Sequence, residues 1–391
     1  MISHSAQWRD VVLLVAAVPF IYYPLAIAAA LRFFGRKREQ THTEHHPPAS
    51  LLKAVRGVDF GSYENFASFC KQDYPEYEIL FAVNDENDPA VPLIRQIMAE
   101  FPHRQIRLFT SAETLGANRK VSKLAMLTRE ARNDLLVLTD GDVRIRPNYL
   151  REVVAPFHEK KIGAVTSFYR AIAQENLWAK LEAIGAASEF FSGVLMARWK
   201  EGVRFALGAS IATTKEWIRK MGGFEALADT LADDYELGLR IFKAGGEIVL
   251  SQETVWTMYP AQTFRGFWDH QLRWARTVRL CRPLSYLGLL FTQGLPWTVL
   301  AVLLAPAPWI AGAYFAAYLV LRLAMAWTVG VWGVGDDVLK RNLWLVPARD
   351  AVYFLVWLAS FASNRIRWDS VDYTIRRGQM APVGGGERPA R

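Results

Sequence analysis

The 391-residue chain has only two cysteines, Cys70 and Cys281, and neither sits in a metal-type spacing. A disulfide framework and a cysteine-based zinc site are therefore excluded, and a reducing compartment is expected. The stretch around Gly116 carries neither G-x-x-x-x-G-K-[ST] nor G-x-G-x-x-G, so neither phosphate-binding fingerprint is present there. The formal charge of +8 lacks the distribution of a nucleic-acid surface. Much of the excess lies at Arg32–Arg38, Arg273–Arg282 and Arg365–Arg377, beside apolar segments. A cytoplasmic membrane surface attracts positive charge in such places, so the expected partner is a lipid bilayer, with no nucleic acid.

Apolar length is abundant. With 52% hydrophobic residues, the chain can hold a domain of about two hundred residues plus membrane segments. Val11 to Phe34 is almost entirely apolar and long enough to cross a bilayer as a helix. Ala28-Ala29-Ala30 has the look of a signal-cleavage site, but Arg32, Arg36, Lys37 and Arg38 follow the apolar run. A signal peptide carries its cations first. The expectation is an anchor over 1–35 with its amino terminus outside, then a linker over 36–50 in the cytoplasm.

Near the other end, Phe264–Arg282 mixes aromatic and aliphatic residues with arginines, as in an amphipathic helix on a bilayer interface. Residues 263–283 are assigned to it and 284–363 to membrane segments. Tyr286–Leu304 and Trp309–Trp332 read as full spans. A further crossing would place the basic tail, 364–391, outside, against the charge rule. Val346–Phe361 is therefore expected to be re-entrant or interfacial.

Between these segments, 51–262 alternates short apolar strands with helices, which predicts an α/β domain with a mostly parallel sheet. Candidate strands are Ile79–Val83, Ile106–Phe109, Leu135–Thr139 and Ala164–Phe168; candidate helices are Val91–Glu100, Lys120–Arg132 and Asn148–Phe157. Leu135–Thr139 reads as a strand buried on both faces, and it stops at Asp140-Gly141-Asp142. Ligands of open α/β sheets bind beyond such strand ends. In an extended segment the two carboxylates share a side, and Gly141 lets the backbone approach what they hold. The pair suits a hard divalent cation with substrate phosphates; it equally suits an acidic turn.

Other polar groups join it. Asp85 and Asp88 follow a second strand, where carboxylates bind a base or ribose, or close an Asx turn. Lys120, after Gly116 at a helix start, could meet a diphosphate or solvent. Asp233 and Asp234 open a helix, as dipole-favoured acids or as a general base. Arg273 can clamp a diphosphate bidentately or anchor its helix at the interface. The aromatic stripe over Asn176–Glu201 suits a core, or a path for an apolar acceptor.

Taken in order, Asp85 and Asp88-Pro89, Gly116-x-Asn118-x-Lys120, Asp140, Asp234 and Arg273-Trp274 resemble the ceramide glucosyltransferase family of glycosyltransferases. The likeness runs from about Leu51 to Pro283 and includes Gln72-Asp73-Tyr74-Pro75 and Met221-Gly222-Gly223. It implies a Rossmann-like GT-A domain inserted between an N-terminal transmembrane helix and C-terminal transmembrane and interfacial helices. Asp85, Asp88, Lys120, Asp140 and Asp233 would then bind the nucleotide sugar, and Asp140 with Asp142 would hold Mg²⁺ or Mn²⁺. Asp234 becomes the base, and Arg273-Trp274 ends the [Gln/Arg]-x-x-Arg-Trp signature. Its first position is His270, so His270 or the adjacent Gln271 fills that role. The implied reaction is inverting transfer from a UDP-sugar donor to a membrane lipid acceptor. Within the family the chain is most similar to the bacterial hopanoid-associated branch, which implies N-acetylglucosamine, bacteriohopanetetrol and a multi-pass protein of the bacterial inner membrane with its catalytic domain in the cytoplasm. Ceramide or diacylglycerol glucosylation, a polysaccharide synthase and a non-catalytic nucleotide-binding scaffold are the alternatives.

Overall fold

The computed structural model describes residues 4–35, 45–368, 371–376 and 378–382. The linker cations Arg36, Lys37 and Arg38, and the tail beyond 382, lie outside the described residues. The chain forms two compact units. One gathers Met1–Lys37, Ala173–Lys200 and Ala261–Ser370; the other gathers Arg38–Ile172, Glu201–Pro260 and Val371–Arg391.

The second unit holds an eight-stranded sheet: β1 Ala49–Ala54, β2 Tyr77–Val83, β3 Gln105–Thr110, β4 Leu135–Thr139, β5 Val143–Arg144, β6 Ile162–Ala173, β7 Ser210–Thr214 and β8 Glu247–Tyr259. Their order is β3-β2-β1-β4-β7-β6-β8-β5. The parallel arrangement expected from the sequence holds across β3, β2, β1 and β4. Parallel neighbours need long crossovers, and the helices Ser62–Cys70, Ala90–Glu100 and Arg119–Glu130 supply them. Beyond β4 the sheet is mixed, because β7 runs antiparallel to both β4 and β6, and β5 to β8. The core beneath it packs Leu52, Leu80, Leu124, Leu136, Leu138 and Ile211.

β1 was not among the candidate strands, because Lys53 interrupts its apolar run. That lysine is fully buried. Its ammonium donates to Thr139 Oγ1 at 3.2 Å and to the Asp140 carbonyl at 2.9 Å, and lies 3.7 Å from the centre of the Phe69 ring. A second buried charge ties strands together. Glu78 on β2 accepts from Ser50 Oγ at 2.7 Å, from the Arg132 amide at 2.7 Å and from Arg107 at 2.8 Å.

The first unit is helical. Trp8–Phe34, Pro308–Val334 and Leu343–Ser360 are long and apolar enough to cross a membrane. One expectation changes. Tyr286–Leu304 is not one straight span but two helices, Pro283–Thr292 and Gly294–Leu304, bent by 49°. Val346–Phe361 falls largely within Leu343–Ser360, which by length and composition could cross rather than re-enter. The predicted amphipathic segment is a helix, Phe264–Cys281, burying Phe267, Gln271 and Ala275 at i, i+4 and i+8. Phe267 joins a cluster with Leu181, Ile184, Leu339 and Val346.

Glu78→Ala is expected to destabilise the sheet by about 2 kcal/mol, since a buried hydroxyl and a backbone amide lose their acceptor. Thermal unfolding of the purified protein, followed by circular dichroism, checks this.

Candidate active site

Between β1 and β4 the strand order reverses: β2 and β3 extend the sheet to one side of β1, and β4 lies on the other. Such a switch point opens a crevice outside the carboxyl ends of the strands. Asp140 lies at that end of β4, above the buried ammonium of Lys53. Asp140-Gly141-Asp142 is a turn between β4 and β5, not the extended segment expected, with the Val143 amide donating to the Asp140 carbonyl at 3.4 Å. Gly141 is not sterically required by the chain itself, since an added Cβ would stand 3.8 Å from its nearest neighbour. The carboxylates nevertheless act on one another. Burial, then the charge of Asp140, pushes the Asp142 carboxyl up to about 7, while burial brings Lys53 down to about 7 against the pull of both aspartates.

The Gly116-x-Asn118-x-Lys120 segment docks on residues 228–233. A Cβ at Gly116 would come within 2.6 Å of Asp229 Oδ1 and 2.7 Å of the Ala228 carbonyl, so only glycine allows the approach. Asn118 caps the helix Arg119–Glu130 by accepting from the Val121 amide at 3.1 Å. Its amide nitrogen donates to the Thr230 carbonyl at 2.9 Å and to Asp233 at 3.3 Å. Two residues on, Lys120 stands 2.5 Å from Asp140 Oδ1 and 3.5 Å from Asp233 Oδ2. Burial opposes its charge, but Asp140, Asp233 and Asp234 outweigh burial and raise its pKa.

Asp234 opens the helix Asp233–Lys243. That helix approaches the Phe205–Ala206 backbone so closely that a Cβ on Gly238 would lie 2.3 Å from the Ala206 nitrogen. Gly208 makes room for the carboxylate, since its Cβ would be 2.9 Å from Asp234 Oδ2. Asp234 Oδ1 accepts from the Tyr235 amide at 2.8 Å. Burial, then the Asp233 charge, pushes the Asp234 carboxyl up to about 6 despite Lys120. Lys53 and Gly208 were not singled out from the sequence as site residues. A lysine inside an apolar run was the available signal for the first; the second had none beyond its turn.

The two other aspartates differ from each other. Asp85 is exposed and closes an Asx turn on the Asn87 amide at 2.8 Å. Asp88 is buried, and one oxygen accepts from the amides of Gly57 and Ala90, both at 2.9 Å. It thereby holds the first amide of the helix Ala90–Glu100 and fixes the loop after β1.

His270, Gln271, Arg273 and Trp274 belong to the helical unit. Gln271 faces the packed side of Phe264–Cys281, whereas His270 Nδ1 hydrogen-bonds the buried Glu182, which also accepts from Gln262 at 2.5 Å. Trp274 packs edge-on to His270, with ring centroids 5.6 Å apart, and to Phe190 at 6.0 Å.

Among the described residues, no group of three or more His, Cys, Asp or Glu side chains converges as a metal site. Asp140 and Asp142 still fit Mg²⁺ or Mn²⁺. Their oxygens are hard donors, a cation would relieve the crowded charge that raises Asp142, and a carboxylate pair leaves positions for phosphate oxygens and water.

Residues 11–381 match the family model described as glycosyl transferase family 21. Ceramide glucosyltransferase 3 of Caenorhabditis elegans is 25% identical over 278 residues, covering 69% of this chain and 60% of that protein. Ceramide glucosyltransferase 1 of the same organism is 25% identical over 232 residues, covering 59% of this chain and 49% of that protein. The chain thus matches about half to three-fifths of the length of these relatives. In fold it is similar to the mannosyltransferase PcManGT from Pyrobaculum calidifontis, solved in complex with GDP-Man and Mn2+. The TM-score is 0.50 at 16% identity, covering 88% of this chain and 99% of the other. With its sequence matched almost from end to end, the chain belongs to glycosyl transferase family 21.

Proposed function

We propose that this chain is an inverting glycosyltransferase that moves a sugar from a UDP-sugar to a hydroxyl of a membrane lipid. The observation that carries this reading is Asp234, a half-buried carboxylate pushed up to about 6 beside Asp233 and Lys120. A general base needs this compromise: enough basicity to take a hydroxyl proton, yet ionised at neutral pH. In the proposed step the acceptor hydroxyl gives its proton to Asp234 as its oxygen bonds to the anomeric carbon. The bond from that carbon to the diphosphate breaks on the opposite face, inverting the configuration.

Lys120, kept protonated among carboxylates, holds Asp140 and Asp233 in place and offers positive charge toward the diphosphate. Asp142 and Asp140 would hold Mg²⁺ or Mn²⁺, which supplies charge neutralisation to the diphosphate when bound. Asp85 is assigned to the uridine, and Asp88 fixes the loop beside it. From the family resemblance, Arg273 is assigned to the departing diphosphate, His270 or Gln271 to the nucleotide sugar, and Trp274 to the lipid entrance. The donor sugar is proposed to be N-acetylglucosamine and the acceptor a hopanoid such as bacteriohopanetetrol, at a bacterial inner membrane. The relatives named as ceramide glucosyltransferases favour a second reading, glucose transfer to ceramide at the same site.

Asp234→Asn is expected to lower kcat about a thousandfold while leaving UDP-sugar affinity unchanged. Normal turnover by this variant would sink the assignment. Because the base works only when deprotonated, kcat/KM should rise with pH through about 6. A profile already flat from about pH 5 would contradict it. Asp142→Asn should raise the Mn²⁺ concentration needed for half-maximal UDP binding by about tenfold, read by calorimetry.

A further inference from the structure

The helical unit contains a small cavity of about 40 Å³ that none of the roles above uses. Its wall includes Tyr22, Glu189, Gly193, Leu289, Gln293 and Met325. Irregular backbone reaches it from more than one side. The bent pair Pro283–Thr292 and Gly294–Leu304 breaks at Gln293, whose φ of −87° and ψ of 96° are extended. The Gly294 amide donates to Tyr23 Oη at 2.8 Å, and a Cβ on Gly294 would lie 2.3 Å from that oxygen. The break is therefore built around Tyr23. The turn Ala186–Phe190, which brings in Glu189, is π-helical, a distortion common at functional sites. Interrupted helices in membrane proteins likewise line binding sites.

Two charged groups of the cavity wall, Arg322 and Asp350, satisfy one another. Arg322 makes paired contacts with Asp350 at 2.8 and 3.0 Å and reaches Ser188 Oγ at 3.1 Å, while Tyr318 donates to Asp350 at 2.9 Å. Gln293 differs: it is 8% exposed, yet among the described residues neither its amide nitrogen nor its amide oxygen has a hydrogen-bond partner. Glu189 Oε2 also lacks a hydrogen bond, with Arg349 Nε 3.8 Å away. An unpaired buried amide is costly, so the arrangement calls for an occupant that both donates and accepts.

Size restricts that occupant. One water needs roughly 10–15 Å³ of such volume, so the space suits a hydroxyl or hydroxymethyl group and excludes a sugar ring or a nucleotide. Leu289 and Met325 supply apolar contact for the carbon that bears it. We propose that this cavity binds a hydroxyl of the acceptor lipid, with Gln293 giving and receiving its hydrogen bonds. The proposal rests on the glycolipid reading above.

The test uses the full chain in nanodiscs, with C16 ceramide and bacteriohopanetetrol as acceptor probes. Gln293→Met keeps the length of the side chain and removes both amide atoms. It is expected to raise the KM for the glycosylated acceptor about tenfold, with the UDP-sugar KM unchanged and the melting temperature no lower. Gly193→Leu is a second variant: Gly193 lines the cavity, and a Cβ there meets nothing within 4 Å, so the substitution adds apolar bulk at its wall. It should raise the same KM with the donor KM unchanged. An acceptor KM unchanged in both variants would overturn the proposal, as would a shift in melting temperature alone, which marks a structural water. A wild type that glycosylates neither lipid while still hydrolysing UDP-sugar would instead overturn the reading on which it rests.

Discussion

The site depends on one ammonium group among several carboxylates. Asp140, Asp142, Asp233 and Asp234 approach one another because the end of β4 meets the start of the helix Asp233–Lys243. Unit charges about 4 Å apart repel by about 4 kcal/mol at an effective dielectric of about 20. Lys120 offsets this from between Asp140 and Asp233, and Lys53, on the adjacent strand β1, does so only in part because burial brings it down to about 7. Each depends on packing elsewhere. Lys120 is placed by the Asn118 cap and the close approach at Gly116; Lys53 is held by the face of Phe69. Burial, and then the neighbouring carboxylate in each case, leaves Asp142 and Asp234 raised, which suits them to the cation-binding and proton-accepting roles proposed for them.

Asp88 and Gly208 show how residues outside the chemistry serve it. The buried Asp88 carboxylate fixes the loop after β1 through the Gly57 amide. Gly208 leaves the space that Asp234 occupies. Neither needs to touch a substrate, yet the loop or the Asp234 carboxylate would move without it.

Much of this was legible beforehand, for reasons that differ by element. β4 is read from sequence with its observed bounds because a strand buried on both faces leaves an unbroken apolar run. The aspartates stand out as an ordered set; singly, each also reads as an ordinary acidic turn or helix start. β1 is hidden by Lys53, whose partners Thr139 and Asp140 lie 86 and 87 residues away. The antiparallel half of the sheet is hidden because β8 mixes polar and apolar residues, as in Ser251-Gln252-Glu253-Thr254. In the helical unit, Gln293 sits inside a stretch apolar enough to read as one span, and only the backbone shows the break. Local pattern reports burial and period; it does not report which distant atom a glycine or a lysine will meet.

The most direct test of the account is the anomeric configuration of the product. Purified protein in lipid nanodiscs would be given α-linked UDP-N-acetylglucosamine and UDP-glucose with each lipid acceptor, and the glycolipid analysed by proton NMR. In-line displacement with Asp234 as base predicts a β-linked sugar on the lipid. An α-linked product would contradict the single-displacement mechanism, and sugar released only into water would contradict the lipid acceptor.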